Sequence, residues 1–231
     1  MPNPLPLWKR GLALLRRWAW NALLTVAILI PLLLVLYIWA PVPATPLMVW
    51  RLANGYGWER TRVPLSDIPE IIPRAVVASE DNRFCEHNGV DWKAVNTVLT
   101  DWLDGGRLRG ASTITMQTAK NVFLWPNQDV VRKALELPLA YAVDTLWGKQ
   151  RVMEVYLNVA EWGPGVYGIG AAAEYHFGRP LWMLNRDEIY RLVAILPAPL
   201  RWKANRPAAW PRQRAITLRT RVEQVGKLPC L

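Results

Sequence analysis

Apolar and polar positions divide the chain into one long uncharged run followed by shorter helical patterns. Ala22 to Ala40 holds 19 residues without a charge. At about 1.5 Å per residue, a helix of that length spans roughly 28 Å, close to the hydrocarbon thickness of a bilayer. Trp18 and Trp20 lie at one end and Trp39 at the other, where interfacial aromatic residues gather. Pro31, in the middle, is tolerated in a membrane helix. A secretory signal has a shorter apolar core and a small-residue cleavage site. Neither fits this run, so a retained anchor is expected.

Proline and glycine punctuate the remainder. Pro41, Pro43 and Pro46 predict a stiff, extended exit from the anchor. Turns are expected at Asn54–Gly57, at Gly105, Gly106 and Gly110, at Pro126-Asn127 and at Gly163–Gly165. Asn185 and Glu188 have the spacing of a capping box. Between these breaks the apolar spacing is helical, and strand-like alternation is confined to Leu47–Leu52. The pattern predicts a mainly α fold.

One of these helical patterns carries an acid on its apolar stripe. Pro73 suits a first helical turn, and Val76 or Val77, Glu80 and Phe84 then share one face. Ionised groups are rarely buried without a partner. Partial burial raises a carboxyl pKa, which suits a general base. The alternative is a structural pair between Glu80 and Arg83.

Charge narrows the partners. The chain has 28 basic and 18 acidic residues, a net charge of +10. Lys9, Arg10, Arg16 and Arg17 precede the apolar run with no acid among them, which predicts an inside N-terminus. The excess cation elsewhere favours phosphates, lipid headgroups or nucleic acid. Cys85 and Cys230 are the only cysteines; free thiols are expected, with a pair between them the alternative in an oxidising compartment. His87 and His176 are not spaced as metal ligands, and a structural role is expected for His87.

Two further segments bear candidate chemistry. Ser112 stands where an N-cap is expected, ahead of Thr113–Lys120, and Gln117 and Lys120 share a face. A helix from Val130 to Trp147 places Arg132, Lys133 and Glu136 together, with Pro138 expected to kink it. The plain readings are capping and a surface ion pair worth about 0.2–0.5 kcal/mol.

Taken in order, the motifs are Glu80-Asp81-x-x-Phe84-x-x-His87-x-Gly89, Gly110–Gln117 with Lys120-Asn121, and Arg132-Lys133-x-x-Glu136. Glu154-x-Tyr156-Leu157-Asn158 and Gly168–Gly178 follow. Over about Asp67 to Pro207 they resemble the peptidoglycan glycosyltransferases, which polymerise lipid II. Only 24 residues follow Pro207, so the form lacking a penicillin-binding domain is expected. The resemblance implies a lysozyme-like α fold with two lobes around a cleft. The expected organisation is a basic cytoplasmic N-terminus at 1–21, a transmembrane helix at 22–40, a linker and lead-in at 41–66, the glycosyltransferase domain at 67–207 and a basic C-terminal segment at 208–231.

The resemblance also implies roles. Glu80 and Glu136 are the two cleft carboxylates, and Asp81, Ser112, Gln117, Lys120, Arg132 and Lys133 contact substrate. Met116 and Gln128 depart from the family, which usually has a glutamine and, in several members, an arginine there. Asn158 and the small residues of Gly168–Ala173 are expected to be structural. Arg212, Arg214, Arg219 and Arg221 form either a membrane-surface helix or a solvated basic face.

The chemistry fits these residue types. An acceptor 4-hydroxyl needs a base, and Glu80 fits. A pyrophosphate leaves when fixed cations neutralise its growing charge. A glycoside hydrolase instead requires an acid to protonate a sugar alkoxide. The expected substrates are lipid II and a growing glycan strand, with membrane lipids and other cell-wall synthesis proteins as further partners. No metal is assigned, and a divalent cation at the pyrophosphate stays open. A peptidoglycan-cleaving enzyme and a catalytically silent scaffold are the alternatives. A nucleic-acid partner fits the charge, but the anchor places the domain outside the cytoplasm, on the periplasmic side of the inner membrane.

Overall fold

The computed structural model describes residues 7–105, 110–127 and 129–231, with side chains described from residue 11 onward except at 102. Gly106 and Gln128 lie outside the described residues. The chain divides into two compact units, Met1–Ala40 and Pro41–Leu231.

The first unit is the helix α1, Leu7–Leu36. Its stretch Gly11–Leu36 has a mean hydropathy of 2.4 and is long and apolar enough to cross a membrane. The helix begins well before the uncharged run and ends four residues short of it, because Tyr37–Trp39 form turns. Pro31 lies inside the helix.

The second unit is mainly α, as the pattern predicts. Its helices are α2 (Pro46–Ala53), α3 (Ile71–Glu80), α4 (Trp92–Leu103), α5 (Ile114–Phe123), α6 (Val130–Val159), α7 (Ile169–Phe177), α8 (Arg186–Ala194) and α9 (Ala209–Val225). A small sheet has the order β1-β3-β2, where β1 is Glu59–Arg60, β2 Glu161–Gly163 and β3 Val166–Tyr167. The strand expected at Leu47–Leu52 is instead α2. Thr45 caps it by accepting from Met48 N at 3.3 Å, and Pro46 opens its first turn.

Helix ends follow local chemistry. The predicted capping box at Asn185 and Glu188 is formed, with both reciprocal bonds at 3.0 Å. α6 extends past Trp147 only by turning through Gly148, whose φ of 69° is left-handed and costs glycine little. That residue, rather than Pro138, carries the non-helical backbone within α6. Asn158 does not terminate α6, which ends at Val159. Its buried amide instead clasps Val63, accepting from Val63 N and donating to Val63 O, each at 2.8 Å. Gly170 lets this strand of chain pass, since a Cβ there would sit 2.8 Å from Val63 Cγ2.

Two packing groups flank the end of α3. α3 packs with α8 and α9, and α5 packs along α6. Between them lies a core that includes Phe84, Ile114, Met116, Met153, Tyr156 and Trp162, each almost fully buried. Both histidines are buried and hydrogen-bonded within the fold. His176 Nε2 is 2.8 Å from Trp162 O and its Nδ1 accepts from Ala204 N, while burial lowers its pKa.

The cysteines are not free. Cys85 and Cys230 form a disulfide with a Cα–Cα separation of 5.5 Å, across 145 residues of sequence. It joins the turn after α3 to the segment after α9. Closing so long a loop contributes about 2–5 kcal/mol by restricting the unfolded chain. Replacing Cys230 with serine is therefore expected to lower the thermal midpoint, and reductant should lower that of the parent but not of the variant. An identical midpoint for oxidised parent and variant refutes this.

Candidate active site

The site begins where α3 stops. Glu80 is the last helical residue, and Asp81, the C-cap, turns the chain out of the helix. Phe84 consequently lies beyond the helix, in the turn, where it is fully buried. Gly89 completes that turn with φ +80°; a Cβ there would meet Ala140 O of α6 at 2.5 Å. Glycine thus lets the turn lie directly against α6.

Asp81 holds this turn to α5. Its buried carboxylate lies 3.0 Å from His87 Nε2 and accepts from the Ile114 amide at 3.0 Å. Thr113, not Ser112, caps α5. Thr113 Oγ1 accepts from Met116 N at 3.0 Å and donates to Gly89 O at 2.5 Å. Ser112 is left exposed and instead receives a bond from Lys133 Nζ at 3.0 Å. Met116 is buried in the core, so its missing amide removes no group from the cleft in this structure.

Glu80 is not paired with Arg83, which binds Glu86 and Asp91, each at 2.8 Å. Its partners come from elsewhere. Arg214 of α9 donates to Oε1 at 2.9 Å, and Ser79 Oγ to the same oxygen at 2.7 Å. Gln117 Nε2 donates to Oε2 at 3.3 Å. Tyr156, wholly buried, donates to the other end of Gln117 at 3.3 Å. Burial, then the Glu80 and Asp81 charges, hold the Tyr156 hydroxyl well above its ordinary pKa, so it stays a donor.

The basic C-terminal segment is therefore more than a solvated face, since α9 packs one stripe against the fold. Ala215, Leu218 and Val222 form its buried stripe, and Arg214 sits at the edge of that stripe. Arg214 Nε is buried without a hydrogen-bond partner. Trp210, stacked on Trp202 at 4.6 Å between ring centroids, lies 5.5 Å from the Arg214 guanidinium.

The second carboxylate stands in a separate cationic cavity. A space of about 500 Å³ is lined by Ser112, Gln117, Lys120, Arg132, Lys133 and Glu136, among others. A cavity of about 280 Å³ around Glu80, Asp81 and Ser112 adjoins it through Ser112. Asp129 caps α6 with its carboxylate on the Arg132 amide at 2.8 Å. Both oxygens of the buried Glu136 are engaged, one by Arg132 NH1 and the other by Lys133 Nζ at 2.8 Å. A divalent ion at Glu136 would have to displace these cations. Among the described residues, no group of three or more His, Cys, Asp or Glu side chains is arranged to hold a metal.

Lys120 differs from the other two cations. No hydrogen bond or ion pair engages its ammonium among the described residues. Burial, then the Arg132 charge, lowers its pKa, while Glu161 opposes the shift. Lys133 is lowered by burial and then by Arg132 and Lys120. Glu161 is itself buried and bound by Arg51 at 3.0 Å. An anion in this cavity would relieve the mutual repulsion of these three cations.

The geometry thus brings Glu80 together with Gln117, and Glu136 with Arg132, Lys133 and Lys120, while Asp81 faces inward to His87 and α5. The local patterns did not reveal Arg214, Tyr156 or Thr113.

Comparisons with known proteins agree. A family model described as Transglycosylase matches residues 50–222. A biosynthetic peptidoglycan transglycosylase of Rhodospirillum centenum is 50% identical over 93% of this chain and 93% of its own. That of Agrobacterium fabrum is 48% identical over 78% of this chain and 82% of its own. That of Pseudomonas aeruginosa is 44% identical over 81% and 84%. With the family model spanning most of the sequence and relatives this similar over nearly their whole length, the chain belongs to the transglycosylase family and is a peptidoglycan glycosyltransferase.

Proposed function

We propose that Glu80 is the general base of lipid II polymerisation and that Lys120, Arg132 and Lys133 receive the donor's diphosphate. Glu80 removes the proton from the acceptor 4-hydroxyl as its oxygen bonds to the donor's anomeric carbon. The bond from that carbon to the diphosphate oxygen breaks, and polyprenyl diphosphate departs with the electron pair. Direct displacement inverts the centre, so an α-linked donor yields a β-1,4-linked glycan.

The observation that carries this reading is the half-buried Lys120 ammonium, with no hydrogen bond or ion pair among the described residues, in a cavity that adjoins the one around Glu80. Fixed cations in a poorly solvated space stabilise charge that develops on a leaving group. Glu136 orients two of them. A carboxylate that accepts from Arg132 and Lys133 is badly arranged to protonate a sugar alkoxide, which disfavours the hydrolase alternative. Arg214, Ser79 and Gln117 hold the Glu80 carboxylate in a single orientation. Asp81 supports the substrate site through His87 and α5.

We also propose that α1 anchors the enzyme with its N-terminus in the cytoplasm and the catalytic unit in the periplasm. The basic residues ahead of the apolar run support this orientation. So does the disulfide, since such bonds persist in oxidising compartments.

Three tests follow from these assignments. Glu80→Gln should slow conversion of pure lipid II to polymer and polyprenyl diphosphate by about 10²–10⁴-fold, with the fold retained; near-normal conversion removes Glu80 as base. Because its lowered pKa makes Lys120 lose charge below the ordinary lysine value, the rate should fall on the alkaline side. Lys120→Arg keeps its charge and should move that limb to higher pH; an unmoved limb argues against Lys120 as a phosphate contact. Finally, a reporter active only in the cytoplasm should be silent when fused after Leu231, and strong signal rejects the orientation.

A further inference from the structure

The two oxygens of the Glu80 carboxylate are unequally occupied. Each oxygen of a carboxylate has two lone pairs to offer. Oε1 accepts twice, from Ser79 Oγ at 2.7 Å and from Arg214 at 2.9 Å. Oε2 accepts from Gln117 Nε2 at 3.3 Å, and no second bond reaches it among the described residues. The open lone pair therefore lies on Oε2, and Gln117 is the side chain that holds this oxygen.

Gln117 can hold Oε2 in only one of its two amide orientations. The ends of a glutamine amide are nearly equal in size and opposite in character, since the nitrogen donates and the oxygen accepts. Reversal would set the amide oxygen against the carboxylate, one acceptor facing another. The other end of the amide meets Tyr156, whose hydroxyl donates to Gln117 Oε1 at 3.3 Å and has no other partner among the described residues. Tyr156 is buried, and its hydroxyl stays protonated. Reversal would thus also leave a buried phenolic proton without an acceptor, which is unfavourable. The bond at the amide oxygen further strengthens the one that the amide N–H makes to Glu80.

Tyr156 is itself held in place. α6 carries it along α5, and two residues later Asn158 binds both the N–H and the C=O of Val63, each at 2.8 Å. Gln117 has less restraint, because it also lines the cationic cavity. Without the phenol, its amide oxygen is free to turn toward the donors of that cavity, Lys120 one helical turn on among them, and its N–H leaves Oε2.

We propose that Tyr156 is a positioning residue for polymerisation: it fixes the Gln117 amide so that Glu80 presents Oε2, its oxygen with an open lone pair, to the acceptor hydroxyl. The proposal rests on Glu80 being the base. Oε2 takes the proton of the 4-hydroxyl as that oxygen bonds to the donor's anomeric carbon, and the electron pair of the broken bond leaves with the diphosphate. Tyr156 touches neither substrate nor proton and acts only through Gln117.

The test is a double-variant cycle on the full chain in detergent micelles, with lipid II as substrate. Tyr156→Phe removes the hydroxyl and keeps the ring. It should lower kcat by about tenfold, with KM for lipid II within about twofold of the parent. In a Gln117→Met background, where no amide is left to orient, Tyr156→Phe should change kcat by less than about twofold. 4-Aminophenylalanine at position 156 restores a donor of nearly the same shape and should recover most of the rate. An unchanged kcat in Tyr156→Phe overturns the proposal, as does an equal fall in both backgrounds or a loss confined to KM. A thermal midpoint restored by 4-aminophenylalanine without a restored rate also overturns it, which covers the case of an unstable Tyr156→Phe. Failure of Glu80 as base shows separately, because Glu80→Gln then polymerises normally; failure of the positioning role alone leaves Glu80→Gln inactive and the Tyr156 and Gln117 effects additive.

Discussion

The buried carboxylate of Asp81 is the constraint on which the site depends. It stands between His87 and the first amide of α5, and so joins the turn after α3 to the helix that carries Gln117 and Lys120. A buried carboxylate without partners is costly, by about 1–3 kcal/mol or more for a hydrogen-bonding group left unsatisfied. Thr113 repeats the connection one residue earlier through Gly89 O. With both bonds made, the end of α3 and the first turns of α5 are held together, and Glu80 meets Gln117 at 3.3 Å.

Electrostatics then divides the cleft. On the α6 side, Lys120, Arg132 and Lys133 are gathered around Glu136, and burial followed by the neighbouring cations lowers the pKa of both lysines. On the α3 side, a single carboxylate is held by donors from three helices. The first arrangement favours a multiply charged anion, and the second a neutral hydroxyl that must give up a proton. That asymmetry is what a transfer from a phosphate-activated sugar demands.

Local patterns disclosed what is local. The capping box at Asn185, the helix from Val130 to Trp147 and the clustering of Arg132, Lys133 and Glu136 depend on neighbours within a turn or two. Pairings across long stretches were hidden. Arg83 was the nearest cation to Glu80 in sequence, but Arg214, 134 residues on, is the one that binds it. The cysteines carried no spacing signal at all. Adjacent hydroxyls at Ser112 and Thr113 made the cap of α5 ambiguous by one residue, and only the site of Gly89 O resolves it. At Leu47–Leu52 the alternation was misleading, although Thr45 and Pro46 already marked a helix start.

The distance between Glu80 and Arg214 has a consequence for biogenesis. Chains grow from the N-terminus at about 5–20 residues per second. The 134 residues between the two therefore take roughly 7–27 s to synthesise. Throughout that interval the end of α3 lacks its guanidinium partner, and Cys85 lacks the thiol it will join. The nascent chain thus passes through a stage in which the segment bearing Glu80 has been made but its bonds to α9 and to Cys230 cannot yet form.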